Sequence, residues 1–200
     1  MPFYDNHSNR PITHFGERIA KAEAESRWKK ILEHLPEKQG SVLEIGPGRG
    51  YVASWLQENS RLRYVAVDVN KNILESISSI GVLAWVPPLP FQGSTFNVSY
   101  ASHVLEHMAN FREALLFLEE MQRVVVHGGL VCCVTPDFRA SPFHFWNVDY
   151  SHSFPLTPRR LVQIYQDVGL EIVALYAASG PIIGKLAFPL GVLARLLPSW

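Results

Sequence analysis

The chain has 200 residues, with 18 Lys plus Arg balanced by 18 Asp plus Glu, so its formal net charge is zero. That length favours one domain, and the balance leaves no basic excess for a protein that grips nucleic acid through its phosphates. An apolar fraction of 48% and an aromatic fraction of 12% supply a core and argue against a disordered chain.

Residues 1–15 have no period and read as an N-terminal arm; they lack the apolar stretch of a secretory signal. Over 16–35 the apolar residues Ile19, Ala22, Trp28, Ile31 and Leu32 recur at helical spacing, and Pro36 ends the run. A strand is expected at 41–46, then the turn Gly46-Pro47-Gly48-Arg49-Gly50, then a helix over 51–58. A second strand spans 64–68, a helix 71–80, a third strand 82–86 and a fourth 95–101. A helix over 111–123 precedes Gly128-Gly129 and a fifth strand. There Cys132 and Cys133 are neighbours and face opposite sides, so they read as two thiols of a reducing cytosol rather than a disulfide or a metal pair. Residues 137–156 read as a long aromatic loop. Thr157 caps a helix over 157–168 with Pro158 at its first position, and 171–177 reads as a sixth strand. Strands alternating with helices predict an α/β fold with a doubly wound, mostly parallel sheet.

The most informative segment is Glu44-Ile45-Gly46-Pro47-Gly48-Arg49-Gly50, which ends a strand and opens a helix. Glycines turn tightly and let a ligand lie against bare main chain, and the helix N-terminus turns its N–H groups toward that ligand. Asp68 ends the next strand. In a doubly wound sheet such an acid lies beside the loop and accepts hydrogen bonds from a ribose. The spacing G-x-G-x-G differs from the G-x-G-x-x-G that suits a dinucleotide pyrophosphate, which disfavours a nicotinamide-dependent oxidoreductase. Glu44, two residues before the first glycine, suits a ligand carrying an ammonium group.

These residues resemble the class I S-adenosylmethionine-dependent methyltransferases, in particular the type 11 group, over about residues 40–178. Glu44, Gly46, Gly48 and Gly50 match the first motif and Asp68 the ribose acid. Leu89-Pro90-Phe91, Phe96-Asn97, the segment 103–107 and Gly128-Gly129 match later ones. The resemblance implies a Rossmann-like fold over 16–178 and S-adenosylmethionine as cofactor. Besides the first motif and Asp68, it implies cofactor contacts from Val69 and Ser102. Trp85 stands where the family has an adenine-contacting Asp, and reads either as a core residue or as a stacking partner. Asn97 replaces the usual Asp, a departure that fits a catalytically weak or inactive binding protein. The family's usual seventh, antiparallel strand is not evident.

His103-x-x-Glu106-His107 also fits the H-x-x-E-H pattern of a zinc hydrolase, in which His103 and His107 share a helical face. Its position after a strand favours the methyltransferase reading, with no metal and with His107 bonded to backbone. Trp146, Asp149, His152 and Phe154 resemble a segment that some of these enzymes place over the substrate. Asp149 and His152 are expected to orient each other.

The expected reaction is in-line methyl transfer to a small-molecule, saccharide or lipid-linked acceptor. His152 or His103 is the candidate base for a hydroxyl acceptor, since a histidine ordinarily titrates near ~6.5. A cytoplasmic location is expected, with no nucleic-acid partner. Residues 179–200 form an apolar tail bearing only Lys185 and Arg195 as charges. It reads as a lid, or as an oligomer or peripheral membrane contact through 181–198.

Overall fold

The computed structural model describes residues 11–35, 38–140 and 142–176. Five strands, β1 (Gln39–Ile45), β2 (Arg61–Asp68), β3 (Ile80–Leu83), β4 (Phe96–Ser102) and β5 (Val125–Val134), form one sheet in the order β3-β2-β1-β4-β5. Every neighbouring pair is parallel. The helix α1 (His14–His34) precedes the sheet. Parallel strands need crossovers, and α2 (Tyr51–Asn59), α3 (Lys71–Ser76) and α4 (Phe111–Arg123) supply those after β1, β2 and β4, with α5 (Pro142–Val148) and α6 (Pro158–Asp167) following β5. The strand order reverses between β1 and β4. In such sheets ligands bind at the carboxyl ends of the strands flanking that switch point.

Each face of the sheet has its own core. On one side Leu43, Ile45 and Ala101 pack beneath Phe117, Leu118 and Met121 of α4 and Ile164 of α6. On the other, Val42, Tyr64, Val98 and Tyr100 pack beneath Trp28 of α1 and Leu56 of α2. Adjacent strand residues divide between the two cores, as alternation requires. Cys132 and Cys133 divide in the same way, and both are free thiols. Burial pushes each thiol's pKa up to about 12.

Several element boundaries differ from the sequence expectation for physical reasons. α3 stops at Ser76, where Ile77 turns extended. The Gln57 amide then bonds the carbonyl of Ser78 and the hydroxyl of Ser79, so the serines carry a turn rather than a helix. β3 therefore starts early and ends where its partner ends, with Leu83 opposite Asp68. β5 begins at Val125, and its register against β4 slips between the Phe96 and Val98 pairings, a slip that Gly128 absorbs at φ +79°. The expected loop 137–156 contains α5, and its two ends meet at a bridge between Asp137 and Leu156.

The described part of the expected sixth strand, 171–176, pairs with no strand. Ile172 packs on the core, whereas Val173, Leu175 and Tyr176 stay exposed. β-Branched residues extend a chain, but a strand also needs a ladder, and this segment makes none. The apolar tail at 179–200 lies outside the described residues. Among those described, no helix is long and apolar enough to cross a membrane.

Candidate active site

The glycine turn leaves β1 at the switch point. Gly46 donates its N–H to the Val67 carbonyl at 3.0 Å, tying the loop to the end of β2. Gly46, Gly48 and Gly50 adopt φ of +70°, +54° and +70°, a region that disfavours residues with a Cβ. A Cβ at Gly48 would meet nothing within 4 Å, so the main chain at Gly48 faces open space, whereas Gly46 and Gly50 pack against Val104 and Ile77. Asp68 ends β2 beside the loop, and one oxygen accepts the Asn70 N–H at 2.7 Å. Burial raises the Asp68 pKa, against backbone N–H bonds that lower it. Val69 next to it is exposed, and Ser102 is half-buried at the end of β4. A bare glycine loop with an acid at the neighbouring strand end fits the nucleoside and amino-acid ends of S-adenosylmethionine.

Trp85 is 69% exposed, so it is not a core residue. Ala84 donates its N–H to the Asp68 carbonyl at 3.0 Å, which ties the backbone just before Trp85 to the end of β2. Glu44 is only 2% exposed and accepts a hydrogen bond from the Tyr64 hydroxyl inside the α1–α2 core. Burial pushes its pKa up to about 8, with the Tyr64 hydroxyl opposing the rise. Glu44 thus sits beneath the loop rather than on its open side.

Asn97 lies at the other end of the sheet. Its side-chain oxygen accepts the Ser41 N–H at 2.9 Å, and a Cβ at Gly40 would lie 2.0 Å from that oxygen. It secures the start of β1, so its replacement of the usual Asp says nothing against cofactor binding.

The end of β4 builds a second group of side chains. His103 holds φ +58°, a strained value for a residue with a Cβ. Its Nδ1 lies 3.0 Å from Glu106 Oε1; His103 is 54% exposed and Glu106 is fully buried. Thr135 at the end of β5 donates to the other Glu106 oxygen at 3.2 Å. Residues Leu105–His107 form a single 3-10 turn, and His103 lies outside it. His103 and His107 therefore do not share the helical face that H-x-x-E-H requires.

The Glu106 carbonyl accepts the N–H groups of Ser153 and Phe154, both at 2.9 Å. These two bonds bring the loop after α5 against the turn. His152 lands beside His107, with ring centroids 4.8 Å apart. His107 Nδ1 contacts the Ser151 hydroxyl at 2.8 Å, and the Ser151 backbone also hydrogen-bonds the ring, as expected. Burial lowers the His107 pKa as the leading cause. Asp149 accepts from the Ser151 hydroxyl at 2.7 Å, while His152 Nδ1 goes to the Phe145 carbonyl at 2.7 Å. Asp149 thus orients His107 through Ser151, and the expected Asp149–His152 side-chain pair is not formed. Trp146 on α5 is half-exposed, its ring edge-on to Phe138 and Phe145, whereas Phe154 is buried in the core. Glu106 and Ser151 are not among the site residues expected from sequence. The spacing of His103 and Glu106 within H-x-x-E-H was the available signal for the first; the second had none.

Known proteins match this architecture. A family model described as "Methyltransferase domain" matches residues 17–175. The chain is 29% identical over 100 residues to human "Arginine-hydroxylase NDUFAF5, mitochondrial". That match takes in 48% of this chain and spans 29% of the relative's length. The fold is similar to a chain of the complex between the Haloferax volcanii Trm112 methyltransferase activator and a methyltransferase. The TM-score there is 0.67 at 16% identity, covering 96% of this chain and 89% of that one. A SAM-dependent methyltransferase from Archaeoglobus fulgidus matches with TM-score 0.65 at 17% identity, covering 90% and 88% of the two chains. At such identities the structures speak for the fold, and the family match over 17–175 speaks for descent. The chain belongs to the methyltransferase-domain family, and that family and fold imply S-adenosylmethionine as its cofactor.

Proposed function

We propose that the chain transfers a methyl group to a hydroxyl of a small-molecule, saccharide or lipid-linked acceptor, and that His103 takes the hydroxyl proton. The observation that carries this reading is the His103–Glu106 pair at the mouth of the switch point. A carboxylate that accepts the Nδ1–H of an imidazole leaves the Nε2 lone pair as the proton acceptor. Glu106 is buried and braced by Thr135, so it holds the ring, while the exposed side of His103 receives the acceptor.

S-adenosylmethionine, when bound, supplies an activated methyl group that passes in one in-line displacement. The glycine loop and Asp68 hold the cofactor, Glu44 supports the loop from beneath, and Trp85 offers a face to the adenine. Val69 and Ser102 flank the same edge. Trp146 and Asp149 belong to the segment that closes over the acceptor, where their part is to exclude water and position it. His152, 8% exposed and bonded to Phe145, is less suited than His103 to reach an acceptor proton.

The test is methyl transfer from labelled S-adenosylmethionine to a panel of hydroxyl acceptors. His103→Ala is expected to lower kcat about 10²–10⁴-fold, the usual worth of a general base, with cofactor affinity unchanged. Turnover unchanged in that variant refutes the base. No transfer across the panel by cofactor-loaded protein refutes the hydroxyl acceptor.

A further inference from the structure

We propose that Glu106, His107 and His152 bind a first-row divalent cation of the Mn²⁺ to Zn²⁺ range, beside the methyl-transfer centre. Two imidazoles and one carboxylate converge here from elements distant in sequence: the 3-10 turn after β4 and the loop after α5. One ligand atom from each residue lies within 4.8 Å of the other two. Ligands on a tetrahedral ion with bonds of about 2.0–2.2 Å stand roughly 3.4 Å apart, so closing the site takes movements of about an ångström.

The second observation is how the rings are held. Metal-ligating histidines characteristically donate the ring N–H away from the metal to a carbonyl or an acid, which fixes the tautomer. His152 is held in this way directly, and His107 through a hydroxyl that is itself bonded to an acid. His152 Nδ1 faces a carbonyl oxygen, that of Phe145, and must donate to it. His107 Nδ1 faces the Ser151 hydroxyl, whose own hydrogen goes to Asp149, so this ring nitrogen is again the donor. Each imidazole therefore carries its lone pair on Nε2. Glu106 keeps acceptor capacity too, because a carboxylate has about four lone-pair sites and the contacts to His103 and Thr135 take one on each oxygen.

Ligand chemistry selects the ion. Imidazole nitrogen suits Mn²⁺ to Zn²⁺, whereas Mg²⁺ and Ca²⁺ take sites built from oxygen. Three protein ligands leave a position for water or for an acceptor oxygen. The site departs from the sequence expectation of no metal, and it is not the H-x-x-E-H site, since His152 replaces His103 in the ligand set. Cation binding is read without turnover, so its failure and the failure of the methyl-transfer reading are separable.

The experiment uses the full chain, stripped with chelator and dialysed, then titrated with Co²⁺ by visible absorption and with Zn²⁺ by calorimetry. The expected result is saturable binding of one cation per chain. His107→Ala and His152→Ala should each weaken it at least about tenfold, and Ser151→Ala, which removes the hydroxyl that links His107 to Asp149, about tenfold. His127→Ala, an exposed position on β5, is the control and should leave binding unchanged. If the histidine variants fail to fold, Ser151→Ala decides. No saturable binding, or wild-type affinity in the folded variants of the site, overturns the proposal.

Discussion

Gly46 faces Val104, which sets the glycine loop against the short segment between His103 and Glu106. A Cβ on Gly46 would lie 2.8 Å from Val104 Cγ2, and the backbone there has φ +70°. Gly46→Ala meets both obstacles. The left-handed conformation alone costs about 1–2 kcal/mol for a residue with a Cβ, and the contact pushes Val104 away. The expected outcome is a lower Tm together with at least a tenfold loss of S-adenosylmethionine affinity, read by thermal unfolding and calorimetry. Wild-type affinity in a stably folded Gly46→Ala protein counts against the loop as the cofactor's seat.

Asp68 tests the same site from the neighbouring strand. Its carboxylate stands at the end of β2, and Asn70 and Val69 donate backbone N–H groups to it. Hydrogen bonds to a charged group are worth roughly 1.5–3 kcal/mol, so Asp68→Ala should weaken cofactor binding by at least about tenfold. Calorimetry that finds equal affinity in the two proteins removes Asp68 from the cofactor site.

The glycine-loop half of the candidate site was legible because its constraints are local. Positive φ at Gly46, Gly48 and Gly50 is written in the glycines, and Asp68 follows one helix and one strand later. The acceptor half was not. His107, Ser151 and His152 meet because the Glu106 carbonyl captures Ser153 and Phe154. No spacing in the chain announces a backbone bond between distant segments. Asn97 is a related case: its residue type alone fits a lost function, but its bond at the start of β1 gives it a structural one. The expected strand at 171–177 shows the limit of propensity, since Ile172 and Val173 favour extension and yet the described segment finds no ladder.

Trp85 separates stacking from packing. At 69% exposure, removal of its ring leaves no buried cavity, and surface changes of that kind usually stay within about 0.5 kcal/mol of neutral. A base stacked on an aromatic ring is worth about 1–3 kcal/mol. Trp85→Ala should therefore keep the Tm of the cofactor-free protein and weaken S-adenosylmethionine binding about tenfold. The opposite pattern, a clear loss of Tm with unchanged affinity, assigns the indole to packing.

Glu44 should make the stability of the cofactor-free protein fall as pH rises. Burial lifts its pKa from 4.5 to about 8 in the folded chain. Below the unfolded value both states hold the proton and the group is neutral to stability. Between the two values the unfolded chain ionises while the folded chain resists, so stability is lost progressively, and above about pH 8 the loss levels off. Glu44→Gln keeps an oxygen for the Tyr64 hydroxyl and removes the ionisation. Its Tm should draw ahead of wild type steadily between about pH 5 and pH 8 and hold a constant lead beyond. Thermal melts across that range provide the measurement, and parallel Tm profiles for the two proteins would show that the buried carboxyl does not titrate as its surroundings demand.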